Sequence, residues 1–219
     1  NLDGYVDGLV YKGGGFPNQD TFKIPAVQLL PAPPVAWVKK PCKQLIGAPS
    51  RLVYAGSIKN GGVLPQVFGD LNYLPVIAAL TAQGLSVDIF GSYSRNKQHY
   101  NEQFSDYLNE EKSNKLFSMH QGIPVCELIE VLADNYDYGL IVHYFPDDLL
   151  VGKAHLERAL ASKLFTYLSA GLPVIVSDTL IYMANWVKQH DVGIVIREQE
   201  ISTLESKLKD VDYCVLCEN

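Results

Sequence analysis

The stretch Ala161–Ser177, ASKLFTYLSAGLPVIVS, contains a complete passage from helix to strand. Leu156, Leu160, Leu164 and Leu168 recur every four residues, with Ala161, Phe165 and Ser169 beside them, so one helical face is apolar. Gly171 is the expected C-terminal stop. Leu172–Val176 is apolar throughout, as a strand buried on both faces of a parallel sheet must be. Ser162 is a candidate N-cap, which leaves Lys163, Leu164 and Phe165 in a first turn whose N–H groups have no intrahelical partner. The alternative is a single helix running through from His155. Lysine at a helix start opposes the macrodipole. A bound anion offsets that cost, so Lys163 marks an anion site at a helix mouth.

Working outward, the same alternation repeats. Short apolar runs at Leu52–Ala55, Val87–Phe90, Lys115–Met119, Tyr138–Val142, Pro173–Val176 and Val192–Ile196 read as strands. Between them lie helical patterns over Tyr73–Gln83, Asn96–Lys115, Val125–Ala133, Ile181–Gln189 and Ile201–Leu208. Strands alternating with helices predict an α/β fold, a Rossmann-like doubly wound parallel sheet over residues 51–219. Residues 1–50 differ. They carry Gly13-Gly14-Gly15 and seven prolines, which exclude long helices. The segment reads as an arm or linker with short strands at Gly8–Tyr11 and Ala26–Leu30. Its glycine triplet lacks the G-K-[ST] of a phosphate loop and reads as a flexible turn.

Composition bounds the partners. The chain has 219 residues, 47% hydrophobic and 19% charged, a globular balance with ample core material. A net charge of -6 excludes a general nucleic-acid footprint, although one local basic spot can still hold a small anion. No run approaches the ~20 apolar residues of a membrane span. Of four cysteines, Cys214 and Cys217 form a C-x-x-C with no second pair, so ordinary reduced thiols are expected and a metal site is not.

In doubly wound sheets ligands bind beyond the carboxyl ends of the strands. The residues there are Gly56-Ser57-Ile58-Lys59, Gly91-Ser92, His120-Gln121-Gly122, His143-Tyr144 and Ser177-Asp178. Glycine lets a ligand approach the backbone, serine offers a small donor and acceptor, and Lys59 is a point charge for phosphate. His120 and His143 are candidates for acid–base work. His155 and His190 read as surface residues, and Asp147-Asp148 as a solvated acidic turn.

"SKLFTYLSAGLPVIVS" followed by "VGIVI" resembles the C-terminal half of GT-B glycosyltransferases, especially the retaining, family-4-like group, where the pattern runs close to S/H-K-L-x-x-Y-L-A-A-G-x-P-V-I. "RLVYAGSIKN", "VDIFGSYS" and "FSMHQGIPVCELIEVLADNYDYGLIV" resemble the preceding segments of the same half, in the same order. The resemblance implies a donor-binding domain for a nucleotide-diphosphate sugar, with no further cofactor. Lys59 and Lys163 would hold the diphosphate, Gly122, Ile123 and Pro124 would frame the base, and Glu157 or Tyr167 would reach ribose or sugar. It departs at a pair of glutamates eight positions apart in many members; Arg158 and Thr166 stand there, with Glu157 adjacent. A glycan or lipid-linked acceptor would bind a separate N-terminal domain, so the chain is expected to be part of a longer protein. The resemblance also implies a cytoplasmic location, with peripheral contact at the inner membrane face. Two other readings stay open: a sugar-nucleotide epimerase using His120 or His143, and a non-catalytic module whose site has decayed at Arg158 and Thr166.

Overall fold

A computed structural model describes residues 7–14, 25–31, 33–39, 50–60, 67, 69–94, 96–146, 149–150 and 153–219. Two short strands of the arm, β1 (Leu9–Tyr11) and β2 (Ala26–Gln28), pair in parallel. The main body is a six-stranded sheet of β3 (Arg51–Ala55), β4 (Ser86–Phe90), β5 (Phe117–His120), β6 (Tyr138–Ile141), β7 (Val174–Ser177) and β8 (Gly193–Ile196). All pairings are parallel and the order is β5-β4-β3-β6-β7-β8. The chain winds outward in one direction from β3 and in the other from β6, the doubly wound arrangement that the alternating pattern predicts.

Nine helices lie among the described residues, seven between the strands and two after β8: α1 (Leu74–Thr81), α2 (Lys97–Gln103), α3 (Ser105–Ser113), α4 (Val125–Asn135), α5 (Lys153–Arg158), α6 (Ser162–Ser169), α7 (Ile181–His190), α8 (Leu204–Lys209) and α9 (Tyr213–Glu218). Successive residues of a strand face opposite sides, so β3 supplies both cores. Leu52 and Tyr54 pack with Val76, Ile77 and Leu80 of α1. Val53 and Ala55 pack with α4, α6 and α7 through residues such as Ile129, Leu164 and Met183. Each fully buried side chain of this size contributes roughly 1.5–3 kcal/mol. No helix among the described residues is long and apolar enough to cross a membrane.

Several expectations change. The helix expected over Asn96–Lys115 is two, parted at Phe104, and Asn96 caps the first by accepting from the N–H groups of Gln98 and His99. The last expected helix begins as a 3-10 turn, Glu198–Thr203, and α9 follows it unforeseen, capped by the Asp212 carboxylate. Gly13 and Gly14 are no free turn. The Gly14 N–H donates to the Arg158 carbonyl at 2.9 Å, and a Cβ on Gly13 would stand 2.4 Å from that same oxygen. Gly15 and Asp147-Asp148 lie outside the described residues. Gly171 does take the positive φ (73°) of a helix stop.

The sheet divides between β3 and β6. These strands pair at Leu52–Tyr138 and Val53–Gly139 and then part. The Tyr167 hydroxyl fills the gap, accepting from the Ala55 N–H at 2.7 Å and donating to the Leu140 carbonyl at 3.3 Å. Its ring lies against Gly139, where a Cβ would come within 2.3 Å of ring carbons. Tyr167→Phe strands a buried donor and a buried acceptor. It is expected to destabilise the fold by about 2–3 kcal/mol in urea denaturation, with the m-value unchanged.

Candidate functional site

Where β3 and β6 part, a cavity of about 520 Å³ opens beyond the strand ends. Its floor is the end of β3 with Gly56 and Ser57; one wall is Gly91, Gly122 and Ile123, and the other is the start of α6. The loop after β3 is shaped locally: the Tyr54 hydroxyl donates to the Ser57 carbonyl at 3.0 Å, and the Gly56 N–H to the Phe90 carbonyl at 3.0 Å.

Lys163 commands this cavity. α5 and α6 are separate helices, so the single helix running from His155 does not form. Ala161, with φ -76° and ψ 134°, is the residue that breaks the run and caps α6 without a side-chain bond. Ser162 is therefore not the cap but the exposed first helical residue, and it lines the cavity beside Lys163. The Lys163 ammonium sits 3.8 Å from the Tyr54 ring centroid, a cation–π contact. It reaches there across Gly56, where a Cβ would stand 2.7 Å from Nζ. Burial pulls the ammonium down to about 7, against the attraction of the Asp70 carboxylate.

Asp70, on the 3-10 turn Gly69–Leu71, is the one carboxylate among the described lining residues, and sequence reasoning passed over it. Burial raises its carboxyl, opposed by its own backbone and by the charge of Lys163. His143 is buried beneath. Its Nδ1–H donates to the Asp70 carbonyl at 2.7 Å, which leaves Nε2 bare, and its backbone N–H donates to Ser177 Oγ at 3.1 Å. Burial, with the Lys163 charge, holds the His143 imidazolium down at about 3, so the ring is neutral.

The other expected residues divide. Gly56, Ser57, Gly91, Gly122, Ile123, Ser162, Lys163 and His143 all line the cavity. Gly122 presses so close to Gly91 that a Cβ would come 2.3 Å from its carbonyl oxygen. Lys59, Ser92, Pro124 and Glu157 do not line it. Lys59 is built into the base of α1: its N–H donates to the Leu71 carbonyl, and its own carbonyl accepts from Tyr107. Pro124 caps α4 and Ser92 faces outward. Leu164 and Tyr167 are core residues, and Tyr167 has spent its hydroxyl on backbone groups, so neither contacts a ligand through its side chain.

His120 lies outside the cavity. Its Nε2 pairs with Asp88 at 2.9 Å, Tyr136 donates to the same carboxylate oxygen at 2.7 Å, and its ring stacks on Phe90. Burial would raise Asp88, but the bonds from His120 and Tyr136 outweigh it and hold the carboxyl low. His155, expected as a plain surface residue, stands on the cavity rim, and Thr166 lines the wall. Arg158 is engaged with the arm at Gly14.

Residues 89–219 match the family described as "Glucosyltransferase 3-like, C-terminal domain". The chain belongs to that family. No curated protein sequence matches it. Among solved structures, a mutant O-GlcNAc transferase from Thermobaculum terrenum is 14% identical with a TM-score of 0.53, over 97% of this chain and 39% of that one. The alpha,alpha-trehalose 6-phosphate synthase of Burkholderia multivorans is 9% identical, with a TM-score of 0.45 over 74% of this chain and 35% of that one. The six-stranded parallel sheet and the likeness to the Thermobaculum transferase give this glucosyltransferase 3-like domain the Rossmann-like fold of one GT-B half. It spans well under two thirds of the length of either structure.

The half-buried lysine has a measurable signature. The folded domain holds Lys163 near 7, against 10.5 for a free lysine. Between those values the unfolded chain binds the additional proton, so this residue's burial cost is fully present below pH 7 and fades as pH rises. Lys163→Met is expected to stabilise the domain relative to the parent most at about pH 6 and least at about pH 9, read from urea denaturation at both.

Proposed function

We propose that this domain binds the donor of a nucleotide-sugar-dependent, retaining glycosyltransferase that transfers a hexose-type sugar to a glycan or lipid-linked acceptor. The observation that carries the reading is Lys163 at the mouth of α6, its ammonium held over Tyr54 inside the cavity at the sheet's dividing point. A diphosphate placed there would meet a lysine, the first-turn N–H groups and the positive end of the helix dipole together. The wall formed by Gly91, Gly122 and Ile123 would let a nucleobase approach two glycines that carry no side chain and pack on the apolar side chain of Ile123.

In transfer, the bond from the sugar's anomeric carbon to the phosphate oxygen breaks and its electron pair leaves with the diphosphate. The acceptor hydroxyl forms the new bond at that carbon, and its proton passes to the departing phosphate. Lys163 would stabilise the charge that develops on that leaving group, an electrostatic contribution aimed at the transition state. The role calls for no further cofactor. The acceptor would be held by a partner domain of the full-length enzyme, working in the cytoplasm with peripheral contact to the inner membrane face. The epimerase reading loses support, because His120 is bound to Asp88 outside the cavity and His143 is held through its Nδ1.

Calorimetry with uridine, guanosine and adenosine diphosphates tests this. The parent is expected to bind at least one, and Lys163→Met to bind it about ten- to a hundredfold more weakly. Since the free ammonium titrates near 7, binding is expected to take up a proton and to weaken as pH rises above that value in the parent alone. Equal affinity of parent and variant would sink the reading.

A further inference from the structure

The cavity carries two opposite charges on different elements. Lys163 comes from α6, and Asp70 from the turn that precedes α1. A carboxylate beside a diphosphate site is costly unless it has its own work, since it repels the anion that the lysine attracts. Its partner Lys163 is already engaged with the Tyr54 ring. The turn that bears Asp70 is also fixed more firmly than a solvated loop requires. The buried His143 ring holds the Asp70 carbonyl, and a Cβ on Gly69 would stand 2.6 Å from Pro146, so the turn is clasped against the segment after β6. The side chain is half-buried and lines the same cavity as Lys163. A half-buried carboxylate on a turn whose backbone is fixed is a strong acceptor for neutral hydroxyl donors.

We infer that Asp70 determines recognition of the transferred group, accepting hydrogen bonds from the hydroxyls of the donor's sugar while Lys163 holds the diphosphate. The inference rests on the donor-binding reading above. It divides the cavity by charge: the α6 side takes the anion, and the turn side takes a polyol. Asp70 thereby replaces Glu157 and Tyr167 as the expected sugar contact, since neither lines the cavity.

The discriminating experiment compares, on the full chain, binding of uridine, guanosine and adenosine diphosphates with binding of their glucose conjugates, for the parent and for Asp70→Asn. The parent is expected to bind its preferred glucose conjugate at least tenfold more tightly than Asp70→Asn does, roughly one charged hydrogen bond. Measured well below pH 7, where Lys163 is charged with or without the Asp70 carboxylate, the variant is expected to bind the bare diphosphate as well as the parent or several-fold better, because a repelling charge is gone; this also shows that the variant is folded. Unchanged discrimination between conjugate and diphosphate in Asp70→Asn overturns the assignment and leaves the diphosphate site standing. A weaker bare diphosphate in the variant overturns it too, by showing that Asp70 serves only to hold Lys163. If the parent binds no diphosphate at all, the donor-binding reading itself fails.

Discussion

A single phenol hydroxyl, that of Tyr167, holds the sheet where its two halves diverge. Strands that separate leave backbone groups without partners, and buried groups of that kind must be paired. Tyr167 pairs one from each strand. It therefore permits the opening that becomes the cavity and closes its base in the same contact. Lys163 lies four residues earlier on the same helix, hence on the same face. Fixing the tyrosine against the sheet fixes where the lysine points. The ammonium meets Tyr54, which adjoins Ala55, the residue whose N–H the tyrosine holds. Sheet division, helix placement and cation placement are one arrangement.

Electrostatics follow from that placement. A lysine drawn into a low-dielectric cleft gives up hydration, and the Tyr54 face and the Asp70 carboxylate return part of it. His143 stays neutral under the same burial, so the site keeps one exchangeable cation instead of two repelling ones. The neutral ring then serves as a strut between the end of β6 and the turn at Asp70, and the Ser177 hydroxyl oxygen of β7 steadies the residue by accepting from its backbone N–H. The ends of two strands and one turn are thus tied together through His143 and Ser177.

Much of this was readable from residue order. Continuous apolar runs such as Leu172–Val176 and closing glycines such as Gly171 located the six strands and their parallel pairing, because burial on both faces leaves few alternatives. Lys163 stood out because it opposes a helix dipole. The part played by Tyr167 is not legible in the sequence for a physical reason: a tyrosine at that spacing suits a ligand contact or a backbone staple equally, and only its bonds to Ala55 and Leu140 and its approach to Gly139 distinguish them. Lys59 and Pro124 stand close behind strand ends yet do not line the cavity, since adjacency to a strand end does not fix side-chain direction. Asp70 gave no signal, lying well along the connection after β3, where no periodicity marks it. The Asp212 cap of α9 was legible and went unread.

The passage of Lys163 across Gly56 ties two distant positions of the chain together. A methyl group at 56 would occupy the space of the ammonium, so any residue there larger than glycine demands a shorter or differently directed side chain at 163. Gly139 and Tyr167 impose the same bargain on the other side of the sheet. Sequences descended from a common ancestor with this one should therefore change within each pair together or not at all. Drift at either glycine alone would erase the cation's seat or the staple beneath it, long before it disturbed the rest of the core.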